Sequence, residues 1–178
     1  GLAAVLTAFP LMLSPQASGA AESALAGVRS WTYQLQHINL HVLAASNYDL
    51  LVIDYSRDGT AAGAFSASEI AALKTRPDGS RRFVLSYLSI GEAEDYRYYW
   101  QIMAAGFDGV YLDRVDAFER GDSQLDIARR KSAMVTFVSD LATYARAHNP
   151  DFLVVPQNGE ELLSAPAYRR VIDGMGKE

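Results

Sequence analysis

Apolar positions along the chain fall into two kinds of run. Leu50-Leu51-Val52-Ile53 and Val110-Tyr111-Leu112 are short and unbroken, whereas Ile127, Met134, Val138, Leu141 and Ala145 recur at helical spacing among polar residues. An unbroken apolar run suits a strand buried on both faces of a parallel sheet, and the longer period suits a helix laid against it. The pattern predicts six strands, over 31–36, 49–55, 82–90, 109–113, 152–157 and 171–176. Between them, Ser66-Ala67-Ser68-Glu69 has capping-box spacing and predicts a helix that stops before Pro77. Ser123 is expected to cap a longer helix ended by Asn149-Pro150. The stretch 94–105 can also be written as a helix, with Tyr96, Tyr99, Trp100 and Met103 toward the core. Strands alternating with helices, without a low-complexity linker or an evident internal repeat, describe an α/β domain.

The first thirteen residues are almost wholly apolar and lead into Ser14-Pro15-Gln16-Ala17-Ser18-Gly19-Ala20-Ala21. That run is short of the about 20 residues a membrane-spanning helix needs, and its small-residue flank resembles a signal-peptide cleavage region. Residues 1–20 are therefore read as a signal-peptide remnant and 21–178 as the folded domain. The expected location is secreted, either extracellular or periplasmic, with no stable membrane span. An intracellular domain with a buried N-terminal helix is the alternative. Composition narrows the chemistry. Sixteen Lys and Arg against 21 Asp and Glu give a net charge of −5, which argues against a broad nucleic-acid surface and accommodates a neutral or cationic partner. The absence of cysteine excludes disulfides, thiolate metal sites and a thiol nucleophile.

Carboxylates fall at the ends of predicted strands. Asp54 closes one run, Asp113 another, and Glu178 follows the last. In parallel α/β sheets and barrels, strand C-termini gather on the face that binds substrate, although each acid alone could equally be a cap or an ion-pair partner. The segment from Tyr87 to Trp100 combines a strand end, a glycine turn, several carboxylates and several aromatics, a composition suited to a saccharide surface. Asp113 and Asp116 could in principle hold a hard cation, but two ligands fall short of the six to eight oxygens calcium takes. His37 and His41 lack a third ligand and are read as solvated or hydrogen-bonded. No Gly-x-Ser-x-Gly elbow, Walker loop or dinucleotide glycine motif occurs, so the sequence calls for no metal and no cofactor.

Together, Trp31-Thr32-Tyr33-Gln34-Leu35-Gln36, the runs 50–55 and 87–97, Trp100, the run 106–116, Pro156-Gln157-Asn158-Gly159 and the run 172–178 resemble the endo-α-1,4-polygalactosaminidase family, glycoside hydrolase family 114. The resemblance implies a (β/α)8 TIM barrel and secreted endo-hydrolysis of a galactosamine-rich polysaccharide. It implies Asp113 and Glu178 as the catalytic pair, with Asp54, Glu94 and Arg97 lining the same cleft. Tyr87, Tyr111, Asp116 and Asn158 join them as expected substrate-binding residues. A non-catalytic carbohydrate-binding protein built on the same barrel is the alternative. Members of that family carry a longer segment where Trp100 and Gly106 here stand close together. A chain of 178 residues is also below the roughly 200 at which eight-stranded barrels begin. The expected fold is thus an incomplete barrel of about six strands with an open sheet.

Overall fold

The computed structural model of the chain describes residues 24–90, 99–120 and 126–177. Residues 1–20, Glu92, Glu94, Arg97, Tyr96, Ser123 and Glu178, on which several expectations rest, lie outside them. Five strands, β1 (Trp31–Gln34), β2 (Leu50–Ile53), β3 (Phe83–Ser89), β4 (Gly109–Asp113) and β5 (Leu153–Pro156), pair in chain order, every pair parallel. Each crossover carries a helix: α1 (Leu40–Ala45), α2 (Ala67–Leu73), α3 (Tyr99–Ala105) and α4 (Ile127–His148), with the short α5 (Pro166–Arg169) after β5. Sequential parallel strands with a helix in every connection form an α/β fold of the (β/α)8 barrel type, here incomplete and open. Among the described residues no helix is long and apolar enough to cross a membrane.

The sixth predicted strand forms only as a line of pairing. Asp173 donates its N–H to Val154 O and Gly176 to Pro156 O, each at 2.9 Å, and Gly176 makes a parallel bridge with Gln157. The segment follows β5 in register, but Gly174 and Gly176 give it no side chains to pack, and this accounts for its failure to become a regular strand.

Local chemistry sets the helix boundaries. Ser66 and Glu69 form the reciprocal capping box at the start of α2, Glu69 Oε2 accepting from Ser66 N–H at 2.9 Å. The cap of α4 is Asp126 rather than the expected Ser123. Asp126 Oδ1 accepts from Arg129 N–H at 2.8 Å, where a carboxylate also suits the positive end of the helix dipole. Of the apolar stripe expected on α4, Val138 and Ala145 are fully buried and Met134 and Leu141 pack on the core, but Ile127 is exposed. On α3 the buried positions are Ile102 and Ala105, while Trp100, which the helical reading of 94–105 put toward the core, is 56% exposed.

Beneath the sheet, Arg82 is fully buried and forms no salt bridge among the described residues. Its guanidinium donates instead to Tyr48 O at 2.9 Å, Leu43 O at 3.0 Å, Leu73 O at 3.1 Å and Ser46 O. These carbonyls end α1 and α2 and open β2, so one cation satisfies groups that a helix leaves unpaired at its C-terminus.

A device at the N-terminal ends of the strands occurs three times. Asp49 donates its N–H to Ser30 O at 3.0 Å and accepts Ser30 N–H on Oδ2 at 2.9 Å. Asp108 does the same to Val84, both bonds at 2.9 Å. Asp173 repeats it on Val154, at 2.9 and 2.7 Å. Each carboxylate also holds a basic side chain: Arg76 on Asp49, Lys74 and Arg81 on Asp108, Arg146 on Asp173. Five residues after each of these acids stands another, respectively Asp54, Asp113 and Glu178. The chain therefore does contain an internal repeat, Asp-x-x-x-x-Asp/Glu on alternate strands. Side chains alternate along a strand, so the first acid of each unit ties neighbouring strands together, and Asp54 and Asp113 belong to the opposite face.

Candidate active site

One face of the sheet packs against the helices through Leu51, Ile53, Val84, Leu88, Val110, Leu112 and Val154. The other, which would face the axis of a barrel, carries a separate cluster of Leu50, Val52, Leu85, Tyr111, Leu153 and Val155, with Phe83 and Tyr87 against it. Period-two alternation extends this inner face to Asp54, Ser89, Asp113 and Gln157 at the C-terminal ends of β2 to β5.

The register sorts these residues into layers. A closed eight-stranded barrel with a shear of eight steps one residue per strand, so positions two strands apart share a layer when displaced by two residues. Ile53 pairs with Ser86, which puts Asp54 opposite Tyr87. Tyr87 pairs with Tyr111, and Asp113 stands two residues beyond. In a closed barrel of that shear Asp54 and Asp113 would share one layer. Val52 and Tyr111 would form the layer below, and the same arithmetic through β5 adds Gly176 to it. The packing agrees: a Cβ built on Gly176 would fall 2.0 Å from Tyr111 Oη, so the tyrosine occupies the room that the glycine leaves. Tyr33, Tyr87 and Gln157, from alternate odd strands, form a belt between these two layers.

Within this frame Asp113 is held by two donors. Tyr87 Oη–H donates to its Oδ2 at 2.6 Å, and the Arg114 N–H donates to its Oδ1 at 2.7 Å. Arg114 reaches that position with a left-handed backbone, φ 62°, turning the chain sharply off β4. Burial, and then the bond to Asp113, push the Tyr87 phenol well above its ordinary range, which keeps it a donor. Asp54 is half-buried, and desolvation raises its carboxyl above the ordinary aspartate range against the opposing hydrogen bonds from the Ser56 and Tyr55 N–H groups. Asp54 and Asp113 thus lie on one face in different surroundings, Asp54 half-buried and Asp113 held by two donors.

Aromatic rings wall the cleft. Tyr33 meets Tyr87 edge-on at 5.9 Å and Tyr111 at 5.9 Å, and Trp31 lies 6.1 Å from Tyr111. Tyr111 is buried beneath the acids, while Tyr33 and Trp31 are 41% and 48% exposed at the open side. Asn158 and Gly159, both left-handed, turn the chain after β5, and Asn158 donates its N–H to Gly176 O at 2.9 Å. Asp116 stands outside the acid layer, on the 3-10 turn Val115–Glu119, 3.9 Å from Arg120. His37, on the connection into α1, and His41, in its first turn, are both exposed. Among the described residues no three His, Cys, Asp or Glu side chains converge as a metal site.

Sequence reading singled out Asp54, Tyr87, Tyr111 and Asp113, which the fold brings to one face. It passed over the belt residues Tyr33 and Gln157 as individual site positions. Gln157 is almost fully buried, and its Oε1 has no hydrogen-bond partner among the described residues. The parity that puts Tyr87 and Tyr111 inside would have found both.

No family model matches the chain. It is 33% identical over 186 aligned positions to an uncharacterized protein of Methanocaldococcus jannaschii, taking in 80% of this chain and 53% of that protein. An uncharacterized protein of Thermotoga maritima is 33% identical over 177 positions, 75% of this chain and 54% of its own length, and one of Deinococcus radiodurans is 29% identical over 214 positions, 95% and 66%. The chain thus spans about half to two thirds of these relatives. The alignments are longer than the stretches of this chain they take in, so each relative carries residues without a counterpart here. Among solved structures, the glycoside hydrolase domain of PelA from Pseudomonas aeruginosa superposes with a TM-score of 0.61 at 17% identity, over 85% of this chain and 68% of that one. Aspergillus fumigatus Ega3 in complex with galactosamine gives 0.62 at 19% identity, over 83% and 66%. At these identities the likeness is one of fold.

Proposed function

We propose that the chain is the barrel portion of a secreted glycoside hydrolase that cleaves internal α-1,4 bonds of a galactosamine-rich polysaccharide, as in the endo-α-1,4-polygalactosaminidase family. The observation that carries this reading is Asp113, clamped by Tyr87 at a strand C-terminus, on one face with Asp54 and above a wall of tyrosines. The fold likeness to a glycoside hydrolase domain and to a galactosamine-bound protein supports it.

Glycosidic cleavage needs one carboxylic acid to protonate the leaving oxygen and one carboxylate to attack or to activate water. Asp113 is assigned the second role. Its two donors fix the carboxylate, leaving a lone pair on each oxygen for the anomeric carbon or a water. Glu178 is assigned the proton donor. What supports this is the repeat: Asp173 clamps Val154 as Asp108 clamps Val84, and Glu178 follows Asp173 in the sequence at the interval at which Asp113 follows Asp108. Asp54 would hold a substrate hydroxyl or amino group, and residues 1–20 would direct export, with mature protein beginning near Ala21.

The test is the release of new reducing ends from partially N-acetylated polygalactosamine. Asp113→Asn and Glu178→Gln should each lower the rate about 100-fold or more, with polymer binding retained. Unchanged rates in both variants would overturn the assignment, and binding without cleavage by the wild type would leave a carbohydrate-binding protein.

A further inference from the structure

Away from the sheet, Trp100 of α3 meets Tyr144 and His148 of α4 on the outer surface. The Trp100 ring stands nearly perpendicular to both, with centroids 5.7 Å from Tyr144 at 88° and 5.4 Å from His148 at 83°. Tyr144 and His148 lie 4.7 Å apart, and the imidazole is fixed by its Nδ1–H donating to Tyr144 O at 2.9 Å. All three rings are substantially exposed, Trp100 the most at 56%. The cluster thus presents aromatic surface to solvent, most of it from Trp100.

The cluster continues a face of α4. Ala133, Phe137, Asp140, Tyr144 and His148 follow one another at three- and four-residue intervals, a stripe about 22 Å long. Its N-terminal half borders a shallow groove of about 520 Å³ lined also by Ser132, Thr136 and Arg129. Hydroxyl groups and one carboxylate therefore alternate with rings along the stripe. Arg129 is paired with Asp126 at 3.8 Å, whereas Asp140 has no ion-pair partner among the described residues. The uncompensated charge along the stripe is negative.

A surface that alternates flat apolar rings with hydrogen-bonding groups has the amphipathic pattern of a pyranose chain, and an unpaired carboxylate complements a sugar bearing an ammonium group. We infer that the α3–α4 face is a second, non-catalytic binding site for the same amino-sugar polysaccharide, holding a stretch of polymer remote from the cleft. The inference rests on the proposed function for the identity of the polymer. A remote hold of this kind raises the local concentration of the chain at the cleft and helps long substrates only.

The test compares wild type with Trp100→Ala, Tyr144→Ala and Asp140→Asn, with Trp100→Phe as the variant that keeps a ring and thermal midpoints to verify folding. The readout is the ratio of kcat/KM on partially N-acetylated polygalactosamine to that on a short oligomer of the same sugar. Loss of one stacking ring should lower that ratio about five- to tenfold in Trp100→Ala, with Trp100→Phe largely restoring it. A ratio equal to that of wild type in all three variants would overturn the inference. If the wild type cleaves neither substrate, the proposed function fails, and migration in gels containing the polymer then decides for the face alone. Retarded wild type with unretarded Trp100→Ala supports it, and equal migration of the two overturns it.

Discussion

Replacing Gly176 by alanine tests the layered arrangement directly. The added Cβ would fall 2.0 Å from Tyr111 Oη, 2.8 Å from its Cζ and 3.0 Å from its Cε2. The Tyr111 ring cannot simply swing away, because it is 4% exposed and lies against Trp31 and Tyr33. Overpacking of a fixed ring costs about 1–3 kcal/mol, which in a chain of this size lowers the melting temperature by about 2–4 °C per kcal/mol. The direction is informative, because Gly176 does not have a left-handed backbone. At such a position alanine would ordinarily stabilise by about 0.4–1 kcal/mol through the unfolded state. Gly174→Ala supplies that comparison: its nearest neighbours are Leu25 Cδ1 at 3.5 Å and Val155 Cγ2 at 3.8 Å, ordinary contacts, and it should be neutral or stabilising. Combining Gly176→Ala with Tyr111→Phe removes the shortest contact and should recover about 1 kcal/mol, measured as the coupling in a double-mutant cycle. Thermal and urea denaturation provide the readout. Gly176→Ala behaving like Gly174→Ala, or costing the same with and without Tyr111→Phe, would refute the assignment of Gly176 and Tyr111 to one layer.

Arg82→Met keeps the bulk of the side chain but strands the carbonyls of Tyr48, Leu43, Leu73 and Ser46. It should cost about 3 kcal/mol or more at this buried position, read as a lower urea midpoint at unchanged slope. Tyr87→Phe removes the bond to Asp113 Oδ2, and a charge-assisted bond of about 1.5–3 kcal/mol predicts a fall in kcat of tenfold or more with KM little changed. Asp49 and Asp54 should respond to pH in opposite senses. The Arg29 and Ser30 N–H groups hold Asp49 below the ordinary aspartate value of 3.8, so its stabilisation is present above that value and lost as pH falls through the depressed one. Asp49→Asn should therefore lower the melting temperature at neutral pH, with the deficit closing in acid. Burial holds Asp54 above the ordinary value, so its ionisation opposes folding as pH rises from 3.8 through the raised value. Asp54→Asn should raise the neutral-pH melting temperature, and that gain should vanish below about pH 3.8.

The parts of this fold that were legible in the sequence are those set by short-range chemistry. Unbroken apolar runs located β2 and β4, and the capping box located α2, because each depends on residues within a few positions of one another. The cap of α4 was misread because Ser123 and Asp126 are both good N-caps, and only the path of the chain off β4 selects between them. Of the two readings of the aromatic segment, one put Trp100 toward the core and the other on a surface; the described part of α3 turns Ile102 and Ala105 to the core and leaves Trp100 exposed.

What sequence reading overlooked altogether was the repeat, because its copies share only two acids and the distance between them, with almost nothing else in common. Tyr48-Asp49-Leu50, Phe107-Asp108-Gly109 and Ile172-Asp173-Gly174 look unrelated until the same pair of hydrogen bonds is seen at Ser30, Val84 and Val154. The interval of five is what carries meaning. An odd interval in a strand puts two side chains on opposite faces, so an acid that secures the bottom of a strand on the outer side fixes the register of an acid at its top on the inner side. Register errors of one residue would expose the inner acids to the helical layer and bury them without partners. The clamps at Asp49, Asp108 and Asp173 therefore do more than stabilise. They fix which strand-end residues lie on the inner face with Tyr111, so the arrangement of that face depends on hydrogen bonds at the opposite end of the sheet.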